Sequence, residues 1–157
     1  MTRPVAAPRY HCVMNYANVT VFDRYDQLVV MAIVRAPKKS SKSWAVKERR
    51  DIREIQEGFL SRFTLVVAPD FVYLWKSAKP AKATPDLVVP AREILGKYMN
   101  GIDEHDFIPA STLELIVGMW LGDLAIGLAR STAPSVEKTG LTKAISGGRI
   151  DFPRAAA

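Results

Sequence analysis

Apolar residues run without interruption through two short segments in the first half of the chain. The first extends from Leu28 to Val34 and the second from Thr64 to Ala68, and aliphatic side chains dominate both. A strand that is apolar on both faces belongs in the middle of a sheet that is covered on both sides. The pattern therefore predicts two central strands and a layer of structure on each face of the sheet.

Weaker strand patterns accompany these two segments. Asn18 to Phe22 is rich in β-forming residues and ends at the polar turn Asp23–Asp26. Phe71 to Trp75 follows the turn pair Pro69-Asp70, which predicts the returning strand of a hairpin. We expect a short edge strand over Arg149 to Phe152, after the turn at Gly147-Gly148.

Charged residues at helical spacing separate the two central strands. Pro37 ends the first strand, and a polar loop leads into a helix predicted over Trp44 to Gly58. Ser41 or Ser43 is the expected N-terminal cap, and Gly58 the expected stop. Strands on both sides of this helix indicate an α/β fold.

The second half of the chain predicts helices. We expect a loop over Lys76 to Pro90 and a short helix within Val89 to Met99. Ser111 and Glu114 have the spacing of a capping box, and the helix that they open is predicted to run to about Ala129. Its side chains are apolar almost all round, which is typical of a helix that is buried or contacts a partner chain.

Two further features concern this C-terminal half. Gly118 and Gly122 lie four residues apart, and we interpret them as a smooth face for helix packing within the chain rather than as a dimer seam. A last short helix is predicted after Pro134, ending near Ile145.

Composition limits the class of protein. The chain has 157 residues, of which 48% are hydrophobic and 24% charged, as expected of one globular domain. A single cysteine, Cys12, excludes an internal disulfide and fits a cytoplasmic setting. No apolar segment follows Arg3 as in a signal peptide, and the apolar stretch from Leu113 to Leu128 contains two acids, so we expect no membrane contact.

The positive charge is concentrated in one place. Between positions 35 and 50 there are seven basic residues and one acid, Glu48, which gives this segment a net charge of +6. The whole chain has the same net charge, +6. A local basic patch favours a polyanion such as nucleic acid, or an acidic protein, as partner, and a solvated helix face is the plain alternative. The residues concerned are Arg35, Lys38, Lys39, Lys42, Lys47, Arg49 and Arg50.

The order of strands around a basic helix resembles that of a bacterial group of PD-(D/E)XK nuclease-like proteins that is abundant in cyanobacteria. The matching segments are Asp23–Leu28, Ser41–Arg50, Ala68–Trp75, Ser111–Ile116 with Trp120-Leu121, and Gly147–Ile150. The resemblance implies a restriction-endonuclease-like mixed sheet flanked by helices, in a single domain over residues 1–157. Residues 1–10 would be a flexible arm, and 109–157 a C-terminal helical extension with the short edge strand.

The same resemblance locates the active site of the family and shows that it is degenerate here. The family's Glu-x-Lys motif falls on Ile33 and Arg35, and its aspartate on Asp23, with Asp26 as neighbour. Isoleucine binds no cation, and arginine stays protonated, although it can hold a phosphate. One carboxylate is a poor magnesium site, so we expect no cofactor and no nuclease activity.

Other candidates are weaker. Lys47 and Glu48 are the residues that a migrated active site would use, with Mg²⁺ then required, but a solvated helix face is favoured for them. His11 and Cys12 are adjacent and would point to opposite faces of a strand. The cluster Asp103–Asp106 lacks calcium-loop spacing and is interpreted as an exposed loop. Trp44, Tyr73 and Trp75 could stack on bases, but Trp44 and Trp75 are interpreted as packing in the core or at its rim.

Three hypotheses follow from the sequence. The first is a catalytically inactive, nuclease-like protein that binds nucleic acid or an acidic partner through its basic segment. The second is an active metal-dependent endonuclease that uses Asp23 and Asp26 with Lys47 and Glu48. The third is a structural subunit of a larger assembly or homo-oligomer, whose apolar helix over 111–129 packs against another chain.

Overall fold

The structure is a computed structural model and describes residues 17–55, 61–76, 84–128 and 133–153. Within these residues the chain forms an α/β domain around one mixed sheet of six strands, in the order β5-β4-β3-β2-β1-β6. The strands are β1 Val19–Phe22, β2 Leu28–Val34, β3 Phe63–Val67, β4 Phe71–Trp75, β5 Leu87–Pro90 and β6 Arg149–Asp151. The helices are α1 Lys42–Ile55, α2 Ala91–Leu95, which continues into a 3₁₀ turn over Gly96–Tyr98, α3 Ala110–Ala125, α4 Pro134–Glu137 and α5 Leu141–Ile145.

The two central strands predicted from the apolar runs are neighbours. β2 and β3 pair in parallel, with Ala32 opposite Leu65, and α1 connects them. The other strand pairs in the described residues are antiparallel, including the hairpins β1–β2 and β3–β4. The carboxyl ends of β2 and β3 therefore meet at one edge of the sheet.

Alternation along the strands divides the core into two layers. Met31 and Ile33 of β2 face α1, where they join Val66, Tyr73 and Trp75 in one buried cluster. Their neighbours along β2 face the opposite layer, which α2 to α5 cover. The prediction that both faces of the sheet are covered is confirmed.

The close packing predicted for the two glycines of α3 is also confirmed. A Cβ atom at Gly118 would lie 2.2 Å from the ring of Phe152, so glycine is what allows the C-terminal segment to lie against the helix. A Cβ atom added at Gly122 would lie 3.6 Å from Ile150 Cγ1, which is an ordinary contact distance. Within the described residues, no helix has the length and apolar character needed to cross a membrane.

Three local predictions need correction, and others concern residues that the structure does not describe. β5 forms within the predicted loop over 76–90, because Val72 and Tyr73 of β4 offer a partner strand that local sequence cannot reveal. The capping box is wrong: α3 begins at Ala110 after Pro109 with no side-chain cap, and Glu114 approaches Asn18 instead. α3 ends at Ala125 rather than near 129. The arm over 1–10, His11, Cys12 and the stop at Gly58 lie outside the described residues.

Candidate functional site

Ile33 and Arg35, the two positions on which the Glu-x-Lys motif was predicted to fall, lie at the carboxyl end of β2. Ile33 is fully buried against the α1 layer. Arg35 follows the strand, and its Nη1 donates to Asn18 Oδ1 at 2.8 Å and to the carbonyl oxygen of Val34 at 2.9 Å. Its Nε lies 3.8 Å from Glu48 Oε2, with each side chain about one-third exposed or less. The positive charge of Arg35 is thus already paired.

The aspartates of the predicted site lie at the other end of β2. Asp23 Oδ1 accepts hydrogen bonds from the backbone N–H groups of Tyr25 and Gln27, which is ordinary turn geometry. The guanidinium of Arg149 donates to Asp26 Oδ1 at 2.5 Å. At about 3.3 Å per residue, Leu28 and Arg35 are about 23 Å apart along the strand.

The structure therefore does not bring the four catalytic candidates into one site. Glu48 lies beside Arg35, Lys47 is exposed on α1, and Asp23 and Asp26 remain in the β1–β2 turn. In the described ranges, no three histidine, cysteine, aspartate or glutamate side chains are placed so that they could hold a metal ion. Metal-dependent cleavage through these four residues stays a prediction, which Mg²⁺ and Mn²⁺ cleavage assays of wild type and Asp23→Ala would test.

The basic segment divides into an exposed and a buried part. Lys38, Lys39 and Lys42 are exposed in the loop after β2 and in the first turn of α1. Lys47 and Arg50 are exposed further along the helix, three residues apart and therefore neighbours on its surface. We refer to these five residues as the basic surface.

Arg49 does not belong to the basic surface, which corrects the sequence-based assignment. Its side chain is only 4% exposed, and the guanidinium carbon lies 5.1 Å from the ring centroid of Trp75. A cation over an indole face is a favourable arrangement. Arg49 is buried while its basic neighbours are exposed because helical spacing places it on the same side of α1 as the buried residues Ala45 and Ile52.

The loop that carries Lys38 and Lys39 is held by Asp70 of the β3–β4 turn. Asp70 Oδ2 accepts from the backbone N–H of Ser40 at 2.9 Å, and Oδ1 accepts from the Ser40 hydroxyl at 2.5 Å. The Tyr73 hydroxyl lies 2.8 Å from the same hydroxyl. The carbonyl oxygen of Asp70 also accepts from Ala91 N–H, at the start of α2. One residue therefore links three connections at this edge of the sheet.

Burial raises the pKa of Tyr73 from its ordinary value. The hydrogen bond with Ser40 acts in the opposite direction, and the nearby charge of Asp70 raises the pKa further. Tyr73 accordingly stays neutral at physiological pH, as a hydroxyl partner of Ser40. Trp44 meets the Tyr73 ring edge-on with 6.2 Å between centroids, and Trp75 is fully buried. The prediction that Trp44 and Trp75 pack in the core or at its rim is confirmed, and Tyr73 is buried in the same cluster.

A cavity of about 620 Å³ opens beside this network. It lies where the carboxyl ends of β2 and β3 meet, and such edges are the usual place for ligands in α/β sheets. Its apolar wall consists of Ala36, Pro37, Pro69, Phe71, Pro90, Phe107 and Ile108. Its polar lining consists of Lys38, Asp70, Arg92, Glu104, His105 and Asp106.

The turn over Asp103–Asp106 forms one side of this cavity. It is exposed, as predicted, and three hydrogen bonds close it: Asp103 N–H to Asp106 Oδ2, Glu104 N–H to Asp103 Oδ1, and Asp106 N–H to the Asp103 carbonyl oxygen. Phe107 follows directly, and it is 76% exposed. The Phe107 ring is therefore accessible to a ligand at this side of the cavity.

Sequence reasoning missed Asp70, Arg92 and Phe107 as members of a common site. Each comes from a different connection, and only the sheet order brings them to one edge. The one local sequence signal for this site was the pair Pro69-Asp70 directly after a buried strand. The hairpin turn alone was enough to explain that pair. Comparison of the chain with protein-family models, with curated proteins and with solved structures found no match.

Proposed function

We propose that the protein is a non-catalytic, nuclease-like module that binds nucleic acid, with the basic surface on the phosphate backbone. The observation that supports this most directly is that five basic side chains of one loop and helix are exposed while the apolar side of the same helix anchors it on the sheet. The backbone beneath these charges is thus held in place, and fixed cations of this kind suit an extended polyanion.

The charge balance on α1 favours a polyanion over a partner of mixed charge. Among the helix residues up to position 52, Asp51 is the exposed acid, and Glu48 is turned to Arg35 at the strand end. Lys42 lies in the first turn of α1, which contains no acidic residue. A positive charge there is unfavourable for the helix itself but places a cation beside the positive end of its dipole, where anions are attracted.

The test is binding of short DNA and RNA oligonucleotides, followed by fluorescence anisotropy across a salt series. Each phosphate contact contributes about 0.9 for duplex DNA, and about 0.7 for single strands, to the slope of log affinity against log salt. The triple variant Lys38→Ala/Lys39→Ala/Lys42→Ala is expected to weaken binding and to lower that slope by about 2 to 3.

A matched control removes the same charge from the other side of the sheet. Lys97, Lys138 and Lys143 are exposed on the layer that covers the face opposite α1. Their replacement by alanine is expected to leave affinity nearly unchanged. Equal losses in both triple variants would indicate nonspecific attraction by net charge, and no binding at low salt would refute the proposal.

A second candidate function, a homo-oligomeric structural subunit, is favoured by one observation on α3. Leu115, Met119 and Ile126 recur at spacings of four and seven and are 60%, 49% and 66% exposed. An exposed apolar stripe on a helix is typical of an interface between chains. Light scattering of the wild type is expected to show a dimer, which Leu115→Glu/Met119→Glu would dissociate. A wild-type monomer at micromolar concentration would refute this role.

A further inference from the structure

We propose that the cavity beside Asp70 holds a single unstacked base of a single-stranded nucleic acid, while the backbone of that strand lies on the basic surface. The inference rests on the function proposed above and adds to it a preference for single strands. Apart from Lys38, the cavity is lined by residues outside the basic surface, so the two proposals can be tested separately.

The position of the cavity connects it to the basic surface. Lys38 belongs to both, because it lines the cavity and begins the run of exposed lysines that continues into α1. A strand that follows those lysines would therefore pass the mouth of the cavity. Arg92 also lines the cavity, and one of its guanidinium nitrogens donates to the carbonyl oxygen of Ile102 at 3.0 Å. Lys38 and Arg92 provide cations for the phosphates on either side of the bound base.

The aromatic lining is suited to a planar ring. Phe71 and Phe107 line the cavity together with three prolines, and Phe107 exposes most of its surface to solvent. Bases stack readily on exposed aromatic side chains, and this contact depends little on the sequence of the strand. The volume of about 620 Å³ lies within the range of ordinary small-molecule sites.

The acids of the lining would face the edge of the base and not its phosphates. Glu104 and Asp106 flank His105 in the exposed turn, on the side of Phe107. Carboxylates accept hydrogen bonds from the exocyclic amino groups of bases but repel phosphates. Lys38 and Arg92 thus provide cations for phosphates, and Glu104 and Asp106 provide acceptors for the donors of a base. The third acid of the lining, Asp70, is already engaged by Ser40 and Phe71.

A duplex does not present such a base. In double-stranded DNA each base is stacked and paired, and extruding it into a pocket costs free energy that a single strand does not have to spend. The cavity therefore predicts tighter binding of single strands than of duplexes of equal length, whereas the basic surface alone would favour the duplex, whose charge density is higher.

The experiment compares affinities for a single-stranded oligonucleotide and its duplex, measured by anisotropy with the full chain at fixed salt. Phe107→Ala is expected to weaken single-strand binding by about tenfold or more, the range that loss of one base–aromatic stack produces, and to leave duplex binding unchanged. Phe107→Trp, which keeps a stacking surface, is expected to restore single-strand affinity. Because Phe107 is so exposed, neither change threatens folding, which circular dichroism would verify.

Tyr25→Ala is the matched control, since Tyr25 is 69% exposed but lies in the β1–β2 turn at the other end of β2. It is expected to bind like the wild type. If Phe107→Ala keeps its single-strand affinity while the triple lysine variant loses it, the base pocket is refuted and the nucleic-acid function stands. If Tyr25→Ala weakens binding as much as Phe107→Ala, the pocket is refuted as well. Absence of any binding at low salt would overturn both proposals.

Discussion

Asp70 illustrates how one side chain can organise the candidate site. Its carboxylate holds Ser40 through two hydrogen bonds and caps the N–H of Phe71, and its carbonyl oxygen holds Ala91. The loop of Lys38, the β3–β4 turn and the start of α2 are therefore tied to a single residue. All three connections line the cavity, so its shape depends on this carboxylate.

We predict that Asp70→Ala lowers the free energy of unfolding by about 1 to 3 kcal/mol. It leaves the buried backbone N–H of Ser40 without an acceptor and removes one of the two partners of the Ser40 hydroxyl. Chemical denaturation measures this directly. Asp103→Ala is the control, because its carboxylate serves a fully exposed turn and its loss should cost much less. Equal costs would show that Asp70 is only a turn residue.

A second prediction at the residue scale concerns Tyr98. Burial, the hydrogen bond to Asp123 and the charge of that carboxylate raise its pKa from 10.0 to about 12. The hydroxyl donates to Asp123 Oδ2 at 2.6 Å, and deprotonation would break this bond. Because the folded pKa exceeds the unfolded one, the folded state binds the proton more tightly, and the stability linked to it is lost as pH rises from about 10 to 12.

Ultraviolet titration of the tyrosines, compared between wild type and Tyr98→Phe, tests this assignment. The variant should lack the highest phenolate transition, and its stability should change less between pH 10 and 12. Asp123→Asn should lower the same transition toward the ordinary value. A Tyr98→Phe titration that retains the transition would assign it to another tyrosine.

At the scale of the element, α3 has three different sides. One is buried against the sheet through residues such as Leu113 and Leu121, a second accommodates the C-terminal segment at Gly118, and a third exposes Leu115 and Met119. The core of this chain therefore explains why two sides of α3 are apolar, but not why the third side is. The exposed side is the reason for the second candidate function.

The two glycines of α3 give a matched pair of substitutions. Alanine is favoured over glycine in a helix by about 0.5 to 1 kcal/mol at both positions. At Gly118 the added methyl group collides with Phe152, and overpacking of this kind costs about 1 to 3 kcal/mol. Gly118→Ala should thus be less stable than Gly122→Ala by about that amount in thermal or denaturant unfolding. Equal stability would mean that Phe152 moves aside without loss.

At the scale of the whole molecule, the two ends of the described chain are joined in the sheet. β6 pairs with β1, and Ile150 and Phe152 pack on the layer of α3. The last strand therefore covers an edge that would otherwise expose unpaired backbone groups, which promote aggregation.

Truncation after Gly148 tests this arrangement. It removes β6 and Phe152, and loss of two partly buried apolar side chains is expected to lower the free energy of unfolding by about 2 to 5 kcal/mol. Truncation after Pro153 keeps both and is expected to leave stability nearly unchanged. A shortened chain as stable as the control would show that β6 adds little to the domain.

The sequence by itself determined the α/β class, five of the six strands, the position of α1 and the burial of Ile33. These features depend on local rules, namely the apolar period along the chain and the chemistry of turn residues such as Pro69 and Asp70. The same rules also showed that Leu28 to Val34 contains no metal-binding side chain.

Only the tertiary structure decided which residues share a site. It separated Asp23 from Glu48 and packed Arg49 against the ring of Trp75. It also paired β5 with β4 and assembled Lys38, Arg92 and Phe107 around one cavity. The physical reason is that such contacts join residues far apart in sequence, through strand pairing and helix orientation. Local preference does not encode these contacts, and the cooperative packing of the whole domain selects them.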